Sequence, residues 1–392
     1  MPLLQKNKIA FVTPWFGESI PGGAESATRA LIQRLKSHFD IEVLTTCVKD
    51  FHSNWNDDFW KEGEYKEMDI VVRRFKVRKS NEDAFNRVNA KLMSNLSISK
   101  EEERTYISEM IRSISLNDFL EENKEKYSWF VFMPYMFGTT YDGIKIVKSK
   151  SILIPCLHDE SYAYMAIYGH MFSLIEKAFF LTMTEKQLAE KLFPNEINKF
   201  KFCGLGLDVN IRGKKGSFNR KYGIGKFILC AGRKDSTKNT PELIDFFDRF
   251  QRKTKSSLKL VLVGPGEVDL PDNPNIIDLG FLSKEDKYNA MADALFLCNP
   301  SHNESFSIVV MESWLCESPV LVSGDCSVTK DHVLLSNGGL FYNDYYSFFE
   351  CLHYYETHQS EAIQMAKNGK EYVVQNFNWP IVVQNYLNIL NG

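Results

Sequence analysis

Two cations stand close together in the segment Gly232–Asn239, directly after an apolar run at 226–231. That run is typical of a buried parallel strand, and ligands of open α/β sheets bind beyond the carboxyl ends of such strands. We therefore expect Arg233 and Lys238 to reach a ligand. Two cations suit a diphosphate, because the negative charge of a departing diphosphate must be stabilised. The alternative for this segment is a solvated basic loop.

A pair of carboxylates follows in a later polar segment and in the apolar helical run after it. Glu304 and Glu312 are separated by seven residues. With Glu304 in a loop and Glu312 on the helix, the first can hold a sugar hydroxyl and the second a ribose hydroxyl. The backbone N–H groups of Ser305, Phe306 and Ser307 would then face phosphate at the helix N-terminus, where anions bind favourably. The alternative is one acid that favours the helix dipole and one solvated carboxylate.

Two further groups, in the first half of the chain, also follow strands. Gly22 and Gly23 come between a predicted strand at 8–14 and a helix, where glycine lets the backbone approach a phosphate. A Gly-Gly turn at such a place is also common for structural reasons alone. His158 follows a predicted strand at 151–156 and is expected in a loop at its carboxyl end. A histidine there can contact a ligand or can be a satisfied structural residue.

The elements that must position these residues alternate between strands and helices. A strand at 8–14, a helix and a strand at 41–45 form a βαβ unit, which requires a parallel sheet with a right-handed crossover. A second βα series begins at 226, after a glycine-rich stretch at 204–225 that we interpret as a linker. The fold class is therefore α/β, with two Rossmann-like doubly wound domains.

The part of the chain between these series is less regular. The pattern predicts a strand at 68–77 and one long helix at 101–122. The segment 71–79 is basic, with Phe75 and Val77 alternating between its cations. We interpret it as a charged strand face or edge, because charged edges discourage mispairing. The alternative is a surface for an anionic acceptor or a membrane.

Composition and charge narrow the class of protein. The chain has 392 residues and a net charge of −3, which does not favour a nucleic-acid binder. Its eight cysteines form no C-x-x-C pair, so we interpret them as buried thiols in a reducing compartment rather than as zinc ligands. The chain starts without a secretory apolar region, which indicates a cytoplasmic protein. No Asp-x-Asp tripeptide occurs, so cations rather than a divalent metal are expected to neutralise a diphosphate.

Taken in order, these motifs resemble those of the family 4 retaining glycosyltransferases, which have the GT-B fold of two Rossmann-like domains facing a cleft. The resemblance covers nearly the whole chain, and the joint order of the motifs is more specific than any one of them. The matching segments are Gly22-Gly23-Ala24-Glu25, His158, Gly232-Arg233 with Lys238, Leu262–Gly266, Gly280-Phe281-Leu282, Glu304 with Glu312, and Phe377-Asn378-Trp379.

The resemblance implies a role for each matching residue. Catalytic roles fall on His158, Arg233, Lys238 and Glu304. Donor-binding roles fall on Gly22, Gly23, Leu282, Ser305, Phe306, Ser307 and Glu312. The histidine contacts the transferred sugar in this family, and the arginine and lysine bind the diphosphate. The chain has Glu304-Ser305-Phe306-Ser307 where the family often has Glu-Gly-Phe-Gly, which leaves the identity of the donor open.

For the whole chain, the resemblance implies an acceptor-binding domain at 1–203, with its acceptor surface around 51–114, and a nucleotide-sugar-binding domain at 226–378. A last helix at 379–392 would pack back on the first domain. The expected activity is transfer of a sugar from a UDP- or GDP-sugar to a glycan or lipid-linked glycan, with retained configuration and with no metal or other cofactor. The expected setting is bacterial surface polysaccharide synthesis, including lipopolysaccharide, in peripheral contact with the cytoplasmic face of the membrane.

Two other functions fit the same fold. A nucleotide-sugar epimerase would release UDP without any acceptor. A catalytically silent subunit would only bind partners. The joint presence of His158, Arg233, Lys238, Glu304 and Glu312 favours an active enzyme over the silent subunit.

Overall fold

The computed structural model describes residues 6–390, and the chain divides into two compact units. The first unit comprises the chain up to Leu205 together with the residues from Val383 onward, and the second unit is Gly206–Val382. The predicted domain 1–203 and the predicted helix 379–392 also include residues 1–5 and 391–392, which lie outside the described residues.

The first unit is built on a sheet whose strands are β1 (Lys8–Val12), β2 (Asp40–Thr46), β3 (Gly63–Glu67), β4 (Ile70–Phe75), β5 (Trp129–Phe132), β6 (Ser151–Leu153), β7 (Lys177–Phe180) and β8 (Phe200–Phe202). Their order is β3-β4-β2-β1-β5-β6-β7-β8. Neighbouring strands are parallel except β3 and β4, which form an antiparallel hairpin at one edge.

Helices connect the strands of the first unit: α1 (Gly23–Leu35), α2 (Glu82–Met93), α3 (Lys100–Glu109), α4 (Ile114–Asn123), α5 (Gly138–Val147), α6 (Ala166–Leu174) and α7 (Met183–Leu192). Apolar side chains of the strands and helices form one core cluster, which includes Leu44, Phe130, Phe132 and Leu153, each with no exposed surface. Such continuous apolar strands are typical of parallel sheets that are buried on both faces.

The second unit has a parallel sheet of β9 (Phe227–Ala231), β10 (Lys259–Val263), β11 (Ile276–Asp278), β12 (Leu297–Asn299), β13 (Val320–Ser323) and β14 (Gly339–Tyr342). The order is β11-β10-β9-β12-β13-β14, so the third strand of the unit lies at one edge and the first beside the fourth. This is the strand order of the dinucleotide-binding Rossmann fold. The prediction of an α/β protein with two Rossmann-like doubly wound parts is confirmed.

The helices of the second unit are α8 (Ser217–Tyr222), α9 (Thr240–Thr254), α10 (Lys284–Asp293), α11 (Ile308–Leu315), α12 (Ser327–Ser336), α13 (Tyr345–Thr357) and α14 (Gln359–Asn376). The last helix, α15 (Trp379–Leu390), begins in the second unit, and its residues from Val383 belong to the first. There, Tyr386 packs on Phe179 with ring centroids 5.5 Å apart, and Lys177 donates a hydrogen bond to the Ile389 carbonyl at 3.0 Å.

The prediction of one long helix at 101–122 is wrong, because α3 and α4 are separate helices. The chain leaves the helical conformation at Met110, whose side chain is buried in the core. Ser113 then starts α4 as its N-cap, with the hydroxyl accepting the Leu116 N–H at 3.2 Å. A serine cap satisfies an N–H group that has no partner within the helix, so it favours a helix start at this point.

The strand predicted at 68–77 is shorter and is not a charged edge. It is β4, and β3 pairs along the edge that would otherwise be free. The turn that connects β3 to β4 contains Met68 and Asp69, which both have left-handed backbone conformations. Two consecutive left-handed residues match the twist of a tight hairpin. Arg74, on β4, is 1% exposed and pairs with Glu67 at 2.8 Å.

The stretch 204–225, predicted as a linker, is largely part of the second unit. It contains α8, whose Phe218 packs against Phe227 with ring centroids 5.4 Å apart. Asp293 accepts the backbone N–H groups of Gly216 and Asn219, which ties the start of α8 to α10. The glycines therefore mark turns in a folded segment more than a flexible connection.

The eight cysteines, all within the described residues, form no disulfide, and six of them are buried. Cys156 and Cys351 are half-buried. Burial raises the pKa of the Cys47, Cys230 and Cys316 thiols to about 12. Among the described residues, no helix is both long and apolar enough to cross a membrane.

Candidate functional site

Each sheet has a position where the strand order reverses, and the loops at the carboxyl ends of the strands diverge there. In the second unit this position lies between β9 and β12, which are hydrogen-bonded neighbours. In the first unit it lies between β1 and β5. Such crevices are the usual ligand sites of open α/β sheets. The predicted site residues Arg233, Lys238 and Glu304 lie in the two loops that leave β9 and β12.

The loop after β9 folds around Asp235. The Arg233 Nε lies 2.7 Å from Asp235 Oδ2, and its Nη2 donates to the Thr237 hydroxyl at 2.9 Å. The Asp235 carboxylate also accepts the backbone N–H of Lys238 at 3.1 Å. Burial raises the pKa of Asp235, but the Thr237 hydrogen bond and the Arg233 charge outweigh it and hold the pKa below its usual value. The loop therefore carries a fixed guanidinium and an ionised carboxylate.

One ion pair joins the two loops at the reversal point of the second sheet. The Lys238 Nζ lies 2.8 Å from Glu304 Oε1 and 3.5 Å from the Asn303 carbonyl. The side chains of Lys238 and Glu304 are 31% and 15% exposed, so the pair stays accessible to a ligand. The structure thus brings together two residues that the sequence places 66 positions apart.

Ser305, Phe306 and Ser307 lead from this loop into α11. Phe306 is 2% exposed, with its ring packed against Phe377 at a centroid distance of 5.1 Å. Ser307 is the left-handed N-cap of α11, and its hydroxyl accepts a hydrogen bond from Asn299 at 2.8 Å. The Phe306 and Ser307 side chains therefore pack inward, and the contribution of these residues to anion binding must come from the backbone at the helix N-terminus.

Glu312 lies on α11 and is buried, being 7% exposed. Its carboxylate accepts two hydrogen bonds from the Lys287 ammonium, at 2.7 and 2.9 Å, and one from the Tyr288 hydroxyl at 3.0 Å. Burial, followed by the neighbouring Glu312 charge, raises the pKa of Tyr288. Sequence reasoning missed Lys287, which no motif marks. A ribose hydroxyl that binds Glu312 has to share the carboxylate with this lysine.

A second ion pair, which sequence reasoning also missed, anchors the loop after β9. Lys234 is 3% exposed, and its ammonium lies 2.5 Å from Asp278 at the end of β11. Asp278 also accepts the backbone N–H of Gly280 at 2.8 Å, which positions the loop that contains Leu282. Lys234 therefore connects the loop carrying Arg233 to the segment predicted to contact the nucleotide base.

Glycine is required where these loops meet. Gly264, after β10, has φ of +133°, and a Cβ built on it would lie 1.9 Å from the Gly232 carbonyl oxygen. Any side chain at Gly264 would push the two loops apart. The motif at Leu262–Gly266 thus has a physical cause, because the close approach of two backbone segments at Gly264 permits only glycine.

In the first unit, Gly22 and Gly23 lie between β1 and α1, near the reversal point of that sheet. Gly22 is the N-cap of α1 with φ of +135°, and a Cβ there would lie 1.9 Å from Glu25 Oε2. The other oxygen of Glu25 accepts the Trp15 indole N–H at 2.6 Å. Gly23 has open space around it. The helix N-terminus is thus covered in part by a carboxylate, which reduces its attraction for a phosphate.

His158 lies in the loop after β6, with its side chain 27% exposed. Its Nδ1 lies 3.4 Å from Glu160 Oε1. The residue before it, Leu157, is buried, and its backbone N–H donates to the carboxylate of Glu185 at 2.6 Å. Sequence reasoning did not identify Glu185. Among the described residues, no cluster of three or more histidine, cysteine, aspartate or glutamate side chains has an arrangement that could hold a metal ion.

A known protein family matches the second unit in sequence. Residues 214–371, less than half of the chain, match the family described as Glycosyl transferases group 1. The second unit therefore carries the sequence signature of that group. No curated protein sequence matches the chain.

Solved structures match over both units. Anabaena HepE in complex with UDP and glucose has 14% sequence identity and a TM-score of 0.66, over 98% of this chain and 100% of that chain. Sucrose-phosphate synthase from Thermosynechococcus elongatus has 12% identity and a TM-score of 0.70, over 98% of both chains. The E. coli structure described as trehalose-6-phosphate bound with UDP-2-fluoro glucose has 10% identity and a TM-score of 0.71, also over 98% of both chains. The predicted GT-B fold is confirmed, whereas membership of family 4 stays a prediction.

Proposed function

We propose that this protein is a glycosyltransferase that moves a sugar from a nucleotide-diphosphate donor to a glycan or lipid-linked glycan. The observation that carries the proposal is the ion pair of Lys238 and Glu304 at the reversal point of the second sheet, beside Arg233. Cations next to a sugar-binding carboxylate suit a donor whose diphosphate leaves. The group 1 match covers the same residues, and two of the solved neighbours contain UDP or a UDP-sugar. We therefore propose a UDP-sugar ahead of a GDP-sugar.

In this proposal the second unit binds the donor. Arg233 and Lys238 hold the diphosphate, and the N-terminus of α11 at Ser305–Ser307 adds positive potential. Glu304 holds a hydroxyl of the sugar and Glu312 a hydroxyl of the ribose. Leu282 contributes to the base pocket, and Gly22 and Gly23 of the first unit keep the donor-binding role implied by the resemblance.

The proposed reaction retains the configuration of the sugar and needs no divalent metal. The bond between the anomeric carbon and the diphosphate oxygen breaks, and the acceptor hydroxyl attacks the same face of the sugar. The departing phosphate oxygen takes the proton of that hydroxyl, so no side chain has to act as the base. His158 steadies the positive charge that develops on the sugar. Arg233 and Lys238 stabilise the departing charge that a metal would otherwise stabilise.

We propose that the acceptor binds over the loop 48–61 of the first unit. Phe51 and Trp55 lie with ring centroids 5.8 Å apart, and both pack on Trp15, at 5.8 and 5.9 Å. Phe51 is 43% exposed and Trp55 is half-buried. Exposed aromatic rings on a rigid base can receive the apolar face of a sugar ring. Surface polysaccharide synthesis is the biological setting that we propose from the resemblance.

Thermal unfolding with UDP-, GDP-, ADP- and TDP-sugars tests donor binding without a known acceptor. A ligand at a hundred times its Kd stabilises the folded protein by about 2.7 kcal/mol. We expect stabilisation by a UDP-sugar, and a much smaller effect in Lys238→Ala. No stabilisation by any nucleotide sugar would contradict the proposal. NMR of the first-formed product, with EDTA present, then tests the mechanism. An inverted anomeric centre would overturn the proposed retention. Loss of activity in EDTA that magnesium restores would overturn the proposed independence of a metal.

A further inference from the structure

Glu185 is a buried carboxylate in the first turn of α7 that the proposed reaction does not use. It is 1% exposed. One oxygen accepts the Leu157 N–H at 2.6 Å and the other accepts the Leu181 N–H at 2.8 Å. Thr182 is the N-cap of α7 and accepts the N–H of Glu185 itself at 3.1 Å. The carboxylate therefore joins the loop after β6 to the end of β7.

Burying this carboxylate is costly. Among the described residues, no cation pairs with Glu185, and its hydrogen bonds come from backbone N–H groups. Burial raises the pKa of this carboxyl group, whereas the hydrogen bonds from Leu157, Leu181 and Thr182 lower it. An apolar side chain would avoid the cost of burying so polar a group. A carboxyl group offers an oxygen to each of the two N–H groups, whereas glutamine would turn its NH2 donor towards one of them.

The backbone that Glu185 holds is the one from which His158 projects. Cys156 has φ of +53°, an unfavourable left-handed conformation for a residue with a side chain. This turn directs the Leu157 side chain into the core, where it is 1% exposed, and its N–H towards Glu185. The next residue, His158, then emerges with its side chain 27% exposed. Strained backbone of this kind persists only where surrounding contacts determine it.

We propose that Glu185 is a positioning residue that fixes His158 for the transfer step. This inference rests on the proposed role of His158. Glu185 does not touch the substrate; it acts by anchoring the backbone one residue before the histidine. A displacement of about 1 Å at a group that contacts the reacting sugar can cost on the order of a hundredfold in rate.

The test combines Glu185→Gln with His158→Ala and with the double variant. In Glu185→Gln one oxygen becomes an amide that faces an N–H group. We expect kcat to fall about ten- to hundredfold. The affinity for UDP should stay within about twofold, because the second unit is unchanged. In the His158→Ala background the same change should have less than about a twofold effect, because the residue it positions is gone. Glu190→Gln, which changes a half-buried glutamate of the same helix that pairs with Lys186, is the matched control.

Hydrogen exchange supplies a readout that does not depend on activity. We expect the amide of Leu157 to be protected in the wild type and to exchange faster in Glu185→Gln. Glu185→Asp, which keeps the carboxyl group but is shorter by one methylene, should act in the same direction if the glutamine variant fails to fold.

Three outcomes would overturn the proposal. They are an unchanged kcat in Glu185→Gln, an equal loss with and without His158, and unchanged exchange at Leu157. Full activity of His158→Ala would remove the role of the histidine, and with it this inference, while leaving donor binding and transfer by the second unit intact.

Discussion

At the scale of single residues, the charged side chains of the candidate donor site are paired with one another. Lys238 contacts Glu304, and Lys287 contacts Glu312. A bound diphosphate or ribose would join these pairs rather than meet isolated charges. The side chains are therefore held near their working positions, which lowers the entropy cost of binding.

Loss of either diphosphate cation should slow transfer strongly. We expect Arg233→Ala and Lys238→Ala each to reduce kcat/KM about a hundredfold, since each removes about 2–4 kcal/mol of charge stabilisation. Both side chains lie in an exposed loop, so the unfolding temperature should hardly change. Lys214→Ala, which removes a cation that is 79% exposed in the same unit, should retain full activity. Full activity in both loop variants would contradict the assignment.

Substitutions of Glu304 and Glu312 should differ in how strongly they weaken binding of the free nucleotide. We expect Glu312→Ala to weaken UDP binding, because a ribose contact is lost, and Glu304→Ala to leave it nearly unchanged. Isothermal titration with UDP measures both. Because Glu312 also pairs with Lys287 and Tyr288, Glu312→Gln is the control that keeps the volume of the side chain. Equal losses in Glu304→Ala and Glu312→Ala would show that the division of roles is wrong.

Sequence reasoning singled out candidate site residues that stand in ordered motifs, and it missed other charged residues that the structure pairs around them. Arg233, Lys238 and Glu304 follow strand ends, so their place in the fold could be predicted. Lys234 and Asp278 are 44 residues apart, and Lys287 lies 25 residues from Glu312. Such contacts depend on how neighbouring strands and helices align, which no local periodicity shows.

At the scale of elements, the Lys234–Asp278 pair links the ends of β9 and β11. Removing one partner leaves a buried charge unpaired, at a cost of about 3–5 kcal/mol for a fully buried pair. We expect Asp278→Ala to lower the urea midpoint clearly, although the 25% exposure of Asp278 should reduce the loss. The double variant Lys234→Met/Asp278→Leu should recover part of it. If the double variant lost as much stability as the two single variants lost together, the two residues would not be coupled.

The contact of α12 with α14 should make stability depend on pH. His332 is buried, its Nδ1 lies 2.9 Å from the Tyr372 hydroxyl, and burial lowers its pKa to about 4 from 6.5. The unfolded chain therefore binds the proton more readily, and folding stability falls as the pH drops from about 6.5 towards 4.

The effect of this histidine should reach roughly 3 kcal/mol at the low end of that range. We expect the fall in the free energy of unfolding between pH 6.5 and pH 4 to be smaller in His332→Gln than in the wild type. His353→Gln, which changes an exposed histidine, should leave the pH dependence as it is. An equal slope in His332→Gln and the wild type would contradict the prediction.

The order of strands and helices could be predicted well, whereas some boundaries could not. Buried strands such as Phe227–Ala231 stand out as apolar runs. The break at Met110 could not be found from periodicity, because a buried methionine fits either a continuous helix or a turn. The hairpin at Met68 and Asp69 lacks glycine, so the usual signal of a tight turn is absent from the sequence.

At the scale of the whole molecule, the basic segment 71–79 offers fewer accessible cations for membrane contact than its sequence indicates. Arg73 lies 3.2 Å from Glu42 and 2.7 Å from Glu64, and Arg78 lies 3.6 Å from Glu109. Arg74 is inaccessible to lipid. Carboxylates thus neutralise three of the five cations of this segment, and the exposed Lys76 and Lys79 are the two that could still attract anionic lipid headgroups.

We therefore expect only weak binding to anionic vesicles through this segment, even at low salt. Sedimentation with vesicles that contain anionic lipid, compared with neutral vesicles, measures it. Salt-sensitive binding that disappears in Arg73→Ala/Arg78→Ala would contradict the expectation and restore the segment as a membrane surface. Binding that persists in this double variant would point to another surface.

The burial of the cysteines has a practical consequence for labelling. Thiolates react with maleimides, and the raised pKa values of the buried thiols keep thiolate scarce at neutral pH. A cysteine introduced at Phe281, which is 78% exposed beside the predicted base pocket, should therefore react much faster than the buried native thiols. A fluorophore at that position would report nucleotide binding in real time. Cys156 and Cys351 are half-buried, so these two cysteines should be replaced first to prevent labelling at unwanted positions.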